Sequence, residues 1–114
     1  MKLMPLDRIR TYHEFWLFYV GQHLDKTNRR LHFFGTLATL VCGGLAIIQS
    51  SWFFVAMPVC GYAFAWFGHF AFEKNRPATW TYPFWSLCGD FQMFALMSVG
   101  RMGAEVENVT KSKD

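Results

Sequence analysis

Residues 33–72 form one uncharged stretch, FFGTLATLVCGGLAIIQSSWFFVAMPVCGYAFAWFGHFAF. A straight helix of these forty residues would be about 60 Å long, because an α-helix rises about 1.5 Å per residue. That is about twice the thickness of the hydrocarbon core of a bilayer. Gln49, Ser50 and Ser51 form a polar cluster at the middle of the stretch. The sequence therefore predicts an all-α membrane protein built on a transmembrane helical hairpin, with arms at about 32–48 and 52–72.

The composition agrees with a membrane protein. The 114 residues are 53% hydrophobic and 19% aromatic but only 17% charged, whereas an ordinary soluble domain has about 25% charged residues. This balance argues against a soluble monomer and excludes a disordered chain. The net charge of +3 comes from scattered basic residues, which excludes nucleic acid as a partner. Three widely spaced cysteines fit neither a disulfide framework nor a zinc site, and we interpret them as small hydrophobic residues: Cys42, Cys60 and Cys88.

Basic residues flank the hairpin on both sides and are missing from its turn. They are Arg8, Arg10, Lys26, Arg29 and Arg30 before the hairpin, and Lys74 and Arg76 after it. Basic loops stay on the cytoplasmic side of a membrane, so both ends of the hairpin are expected in the cytoplasm. The N-terminus shows no apolar segment followed by a cleavage pattern, and we therefore expect a multi-pass protein of the inner cell membrane without export.

Three segments flank the hairpin. Residues 7–22 mix charged and aromatic residues, as an amphipathic helix at a membrane interface does. A third apolar helix is predicted at about 84–100. It has only about seventeen residues and contains Asp90, so it either makes a short span or packs against the other helices, and we favour packing. The polar tail at 103–114 is expected to fray, which leaves residues 1–102 as a single helical membrane domain.

Four ionisable residues lie where burial is costly, and such residues at membrane depth usually face a partner or a cavity: His32, His69, Glu73 and Asp90. If the hairpin turns at about 50.5, residues whose numbers sum to 101 lie at equal depth. His32 then faces His69, and Asn28 faces Glu73. Small residues recur on the facing sides of both arms and allow the helices to approach closely, at Gly35, Thr36, Thr39 and Gly43 and at Gly61 and Ala65.

His23 can join this group only if the chain bends before the hairpin. It precedes His32 by nine residues, which on one continuous helix would place the two on opposite sides. Residues 25–28 include types that favour turns and helix caps, so a break there is plausible. With that break, His23, His32, His69 and Glu73 could converge. Two or three imidazoles with one carboxylate suit Fe(II) acting on O₂, and zinc and manganese accept the same ligands.

Other interpretations of these residues stay open. A histidine near a membrane boundary is often an interfacial hydrogen-bonding residue. Asp90 either forms a buried ion pair with Arg76 or Arg101, which we favour, or hydrogen-bonds a ligand histidine. A bis-histidine haem protein would use His32 and His69. A non-enzymatic scaffold or proton-handling subunit would use the same ionisable residues as a relay.

The segments that contain the histidines form longer motifs. The first is FYVGQH at 18–23, followed by NRRLHFFGT at 28–36, and the second is GYAFAWFGHF at 61–70, which continues into EKNRPAT at 73–79. A third block contains Ser86-Leu87, Gly89-Asp90-Phe91, Met93 and Gly100-Arg101. Over about residues 15–101, these motifs resemble the 2-hydroxy fatty acid dioxygenase-like family of small membrane proteins. The run EKNRPA resembles the bacterial branch of that family.

The resemblance implies an Fe(II)-dependent dioxygenase that shortens 2-hydroxy fatty acids by one carbon. Eukaryotic members perform this α-oxidation step while degrading phytosphingosine. By position, the resemblance implies that His23, His32 and His69 hold the iron and that Glu73 is an acidic residue of the catalytic site. The implied partners are a 2-hydroxy fatty acid, O₂ and the lipid bilayer, and the oligomeric state stays open.

Three further residues complete the predicted site. Arg76 follows the second arm at the membrane interface, where its guanidinium could pair with the substrate carboxylate. A phospholipid headgroup or Asp90 is the alternative partner for Arg76. Asn28 is expected beside the metal ligands as a hydrogen-bonding group, and Asp90 joins it there if it bonds a ligand histidine instead of an arginine.

Overall fold

The computed structural model describes residues 9–112, and every regular element within them is helical. The five α-helices are α1 (Tyr12–Gly21), α2 (Lys26–Ile48), α3 (Phe53–Gly68), α4 (Pro83–Ser98) and α5 (Met102–Ser112). A π-helical turn at His69–Glu73 extends α3, and a short 3-10 turn at Ala78–Trp80 precedes α4. The predicted all-α fold class is confirmed.

Helices α2 and α3 form the predicted hairpin. A Cβ added at Gly35 would come within 2.9 Å of the Phe64 Cβ, and one added at Gly61 within 2.8 Å of the Thr39 hydroxyl. Small residues permit this close approach of two helix backbones. The residue numbers in each pair sum to within two of the predicted 101. Helix α2, and α3 together with its π-helical turn, are both long and apolar enough to cross a membrane.

Helix α2 begins at Lys26, earlier than the predicted start of the first arm at 32. The Asp25 side chain accepts a hydrogen bond from the backbone N–H of Asn28 at 3.0 Å, which caps the first turn. Helix α1 has already ended at Gly21, so the chain bends at residues 22–25. The predicted break between His23 and His32 is therefore present, a few residues closer to His23.

Helix α1 supplies much of the hydrophobic core. The side chains of Phe15, Tyr19 and Val20 are fully buried, at 0% exposure, and pack with Met93 of α4 and Val109 of α5. The predicted N-terminal helix is thus present with one apolar face buried inside the protein, but it begins only at Tyr12, because residues 9–11 are not helical. Its position at a membrane surface stays a prediction, and residues 7 and 8 lie outside the described part of the chain.

The third apolar helix is α4, which packs against α1, α2 and α5. At 16 residues it is shorter than α2, which has 23, and shorter than α3 counted together with its π-helical turn, which has 21. The frayed tail predicted from residue 103 is wrong as far as residue 112, because α5 forms there. Met102, Val106 and Val109 lie on one face of α5 and pack against the core, and Trp16 Nε1 donates a hydrogen bond of 2.7 Å to Glu105. The domain boundary at residue 102 stays a prediction.

Candidate metal centre

Three histidines from three segments of the chain meet at one end of the hairpin. His23 lies in the bend between α1 and α2, His32 lies in the second turn of α2, and His69 begins the π-helical turn after α3. Their exposed fractions are 1%, 4% and 2%, so all three are buried. One nitrogen from each ring lies within 4.8 Å of the other two, and the Nε2 atoms of His23 and His32 are 3.1 Å apart. The convergence predicted for the three histidines is present.

Each imidazole is held by an oxygen atom at its other nitrogen. The Nδ1 atoms of His23 and His32 lie 2.6 Å from the carbonyl oxygen of Tyr19 and 3.0 Å from that of Asn28. The Nδ1 atom of His69 lies 2.6 Å from Oδ1 of the Asn75 side chain. A carbonyl oxygen only accepts hydrogen bonds, so we assign the proton of each ring to Nδ1. The Nε2 atom of each ring then keeps its lone pair and is free to bind a metal ion.

Such a group of lone pairs fits a metal ion. Imidazole nitrogens bind zinc at about 2.0–2.1 Å, so two ligands of one tetrahedral or octahedral ion are about 2.9–3.4 Å apart. The 3.1 Å separation between His23 and His32 falls in this range. Burial lowers the pKa of His23 well below its usual range, and the neighbouring His32 and His69 lower it further. The ring of His23 is therefore neutral at pH 7, as metal binding requires.

The π-helical turn brings Asn75 to His69. The turn ends at Lys74, whose φ of 59° is left-handed, and the backbone N–H of Asn75 donates to the carbonyl oxygen of His69 at 3.1 Å. The chain therefore doubles back, and the Asn75 side chain reaches the His69 ring. Its Nδ2 donates to the carbonyl oxygen of Gln22 at 3.2 Å, which ties the turn to the bend that carries His23. π-helical turns are frequent at functional sites.

Glu73 lies outside the group of three histidines, so its predicted convergence with them is wrong. Its Oε1 accepts hydrogen bonds from the backbone N–H of Asp25 and from Nδ2 of Asn28, the latter at 3.3 Å. The predicted pairing of Asn28 with Glu73 across the hairpin is thus confirmed. The Glu73 carboxylate therefore accepts hydrogen bonds at the N-terminus of α2, where N–H groups without a partner in the helix favour a negative charge. A catalytic role for Glu73 stays a prediction.

Asn28 contributes to the site through its backbone and its side chain. It is fully buried, its carbonyl oxygen holds His32, and its side chain contacts Glu73. A Cβ added at Gly68 would come within 2.0 Å of Asn28 Oδ1. The close contact between the N-terminus of α2 and the end of α3 therefore depends on glycine at position 68.

The ion pair predicted for Asp90 is wrong. The Oδ1 atom of Asp90 accepts a hydrogen bond from the Tyr19 hydroxyl. Arg76 and Arg101 are exposed, and the one ion pair within residues 9–112 joins Lys111 to Glu107. Gly89 explains the contact, because a Cβ there would lie 2.9 Å from the Tyr19 ring, so α1 and α4 are close enough for the hydroxyl to reach Asp90. Burial raises the pKa of Asp90 to about 7.

Sequence reasoning missed Tyr19 and Asn75. The Tyr19 ring stacks on His23 with centroids 4.0 Å apart, and its hydroxyl links the site to Asp90. Both residues lie inside the quoted motifs, Tyr19 in FYVGQH and Asn75 in EKNRPAT. Their polar side chains beside the histidines in those motifs were the available signal. Arg76 is exposed and lies one residue after Asn75, and its role stays a prediction.

The fold and the site define a small helical protein with two helices apt to cross a membrane and a buried three-histidine centre able to hold a metal ion. Residues 9–102 match the family model described as 2-hydroxy-palmitic acid dioxygenase Mpo1-like, and the chain belongs to this family. No curated protein and no solved structure matches the chain significantly. Membership of the bacterial branch stays a prediction.

Proposed function

We propose that the protein is an Fe(II)-dependent membrane dioxygenase that shortens 2-hydroxy fatty acids by one carbon. The observation that carries this proposal is the convergence of three buried imidazoles whose Nδ1 atoms are all hydrogen-bonded to oxygen. Membership of the Mpo1-like family supports the substrate class and the reaction. The chemistry balances without an added reductant, because a 2-hydroxy acid and O₂ together contain the atoms of a shortened acid, CO₂ and water.

The metal would be held by His23, His32 and His69 through their Nε2 atoms. When bound, Fe(II) would supply reaction with O₂ and a positive charge beside the reacting carbons. Three neutral ligands leave the charge of a divalent ion uncompensated, which favours binding of an anionic substrate carboxylate. The burial of the three rings keeps bulk water from the same position. We include Arg76 as a second partner for the substrate carboxylate at the membrane surface.

We also propose that the metal centre lies near the cytoplasmic face of the inner membrane. His32 and His69 lie at the end of the hairpin where the chain enters α2 and leaves α3. The basic residues that flank the hairpin lie at that same end, at Lys26, Arg29, Arg30, Lys74 and Arg76. Basic flanks mark the cytoplasmic side of a membrane.

The geometry disfavours the haem alternative. A haem bound between His32 and His69 would need its ring to separate the two imidazoles. Their centroids are only 4.8 Å apart, and His23 lies 4.5 Å from each of them, in the space that the macrocycle would need.

The test is O₂ consumption by detergent-purified protein loaded anaerobically with Fe(II), after addition of 2-hydroxypalmitate. We expect iron-dependent O₂ uptake with formation of a C15 acid, and loss of both uptake and bound iron in His32→Ala and His69→Ala. His13→Ala is the matched control, because His13 is exposed on α1 and lies outside the centre. Full iron occupancy in both site variants would refute the ligand set. Bound iron without O₂ uptake would refute the proposed reaction.

A further inference from the structure

A cavity of about 370 Å³ lies between α2, α3 and α4 and begins at the metal centre. His32 forms part of its wall, so the cavity contacts one of the three histidines directly. Phe54, Met57 and Pro58 line it at the other end, near the start of α3. The cavity therefore leads from the histidines towards the turn of the hairpin.

Polar side chains line the cavity at the end beside the histidines and, with Thr39 and Tyr62, along its middle. His32 and Asp90 line that end. Farther along, the Thr39 hydroxyl is hydrogen-bonded to the carbonyl oxygens of Gly35 and Met57, at 2.9 and 3.2 Å. The far end is lined by aromatic and aliphatic side chains. Such a lining suits an elongated molecule with one polar end.

The length and direction of the cavity also suit an acyl chain. The lining residues of α3 extend from Phe54 to Ala65, which corresponds to about 16 Å along the helix axis. Helix α3 is one of the two helices long and apolar enough to cross a membrane, and in a membrane this axis would run along the chains of the surrounding lipid. A fatty acid in the cavity would keep its hydrocarbon part at a depth where the bilayer is also hydrocarbon.

We infer that this cavity binds the acyl chain of the substrate, with the carboxylate end at His32 and the methyl end at Met57 and Phe54, and that Met57 limits the chain length. The inference rests on the proposed function for the identity of the polar head. Met57 is singled out because its side chain both lines the cavity and lies against α2, where a Cβ added at Gly43 would come within 3.1 Å of it. Its removal opens space at the far end of the cavity.

The first experiment measures turnover of 2-hydroxy acids from C14 to C20 by Met57→Ala. We expect the ratio of C18 to C16 turnover to rise about tenfold, because two more methylene groups would be buried. Val59→Ala is the matched control, since Val59 is 63% exposed on the same helix and does not line the cavity. Phe54→Ala provides a second variant if Met57→Ala does not fold. An unchanged ratio in active Met57→Ala or Phe54→Ala would overturn the inference.

The second experiment needs no turnover. Metal-free, full-length protein is irradiated with two photoreactive 2-hydroxy fatty acids, one with a diazirine at C4 and one with a diazirine near the methyl end. We expect the first probe to label residues near Thr36 and Ala65, the second to label Phe54 and Met57, and 2-hydroxypalmitate to compete with both. Labelling of lipid-facing positions such as Val59 by both probes, or labelling without competition, would overturn the inference. Competed labelling without O₂ uptake would support the acyl site and refute only the proposed reaction.

Discussion

Within residues 9–112, Asn75 is the one side chain that hydrogen-bonds the Nδ1 atom of a histidine of the centre. His23 and His32 are held by backbone carbonyl oxygens, which every residue carries, whereas His69 is held by the Asn75 side chain at 2.6 Å. Loss of a hydrogen-bonding partner of a metal ligand typically weakens metal binding 10- to 100-fold. We therefore expect Asn75→Leu to weaken metal binding by about 1.4–2.8 kcal/mol. The assay is competition for Zn(II) or Co(II) with a chromogenic chelator in detergent.

Asn75→Asp is the matched control for this prediction. It keeps an oxygen acceptor for His69, but it replaces the Nδ2 group that donates to the carbonyl oxygen of Gln22 and adds a negative charge. We expect its metal affinity to stay within a few-fold of the wild type. If Asn75→Leu is folded and binds metal within twofold of the wild type, the proposed orienting role of Asn75 is refuted.

Three further predictions concern the groups around the centre. Glu73→Leu is expected to lower the free energy of unfolding in detergent by about 1–3 kcal/mol, because the N-terminus of α2 loses its carboxylate acceptor. Glu73→Gln keeps an oxygen acceptor and is expected to lower the free energy of unfolding less. Equal stability of the wild type and both variants would contradict this prediction. Gly68→Ala is expected to reduce the metal bound per chain, because its Cβ would overlap Asn28, whereas Gly44→Ala meets no atom within 4 Å and should bind like the wild type. The pKa of Asp90 is raised from 3.8 to about 7, so its contribution to stability is fully present below pH 3.8 and is lost as the pH rises towards 7. The melting temperature of the wild type should therefore fall relative to that of Asp90→Asn as the pH rises from 3.8 to 7. A pH-independent difference between the two melting temperatures would refute this prediction.

The hairpin and the histidine group were predictable because each depends on a regular pattern. A segment of forty residues without a charge, with polar residues at its centre, can cross a membrane in few arrangements other than two antiparallel helices. Once the turn is fixed, equal depth on two straight helices follows from the rise per residue, and it pairs His32 with His69 and Asn28 with Glu73.

The parts that sequence missed depend on irregular backbone. A regular helix places Glu73 four residues after His69 on the same face. The π-helical turn is wider, so Glu73 keeps its predicted contact with Asn28 but lies outside the histidine group, and Asn75 comes back to His69. No hydrophobic period reveals such a turn. Asp90 was paired with arginines on charge alone, whereas the packing of Gly89 against the Tyr19 ring determines its partner.

Helix α5 was missed for a different reason. Residues 103–112 are polar in composition, and the prediction of fraying used composition. Met102, Val106 and Val109 nevertheless lie on one helical face, and the buried ring of Trp16 gives that face a surface to pack against. The helical spacing of these three apolar residues therefore indicated a packed helix better than the polar composition of the segment indicated fraying.

The proposed function requires that a single metal ion is held by His23, His32 and His69. X-ray absorption spectroscopy of the zinc-loaded full-length protein, together with metal analysis, measures this ligand set. We expect one zinc ion per chain with three imidazole nitrogens at about 2.0–2.1 Å. A first shell with fewer than two imidazoles, or the same spectrum from a variant in which all three histidines are replaced by alanine, would contradict the claim.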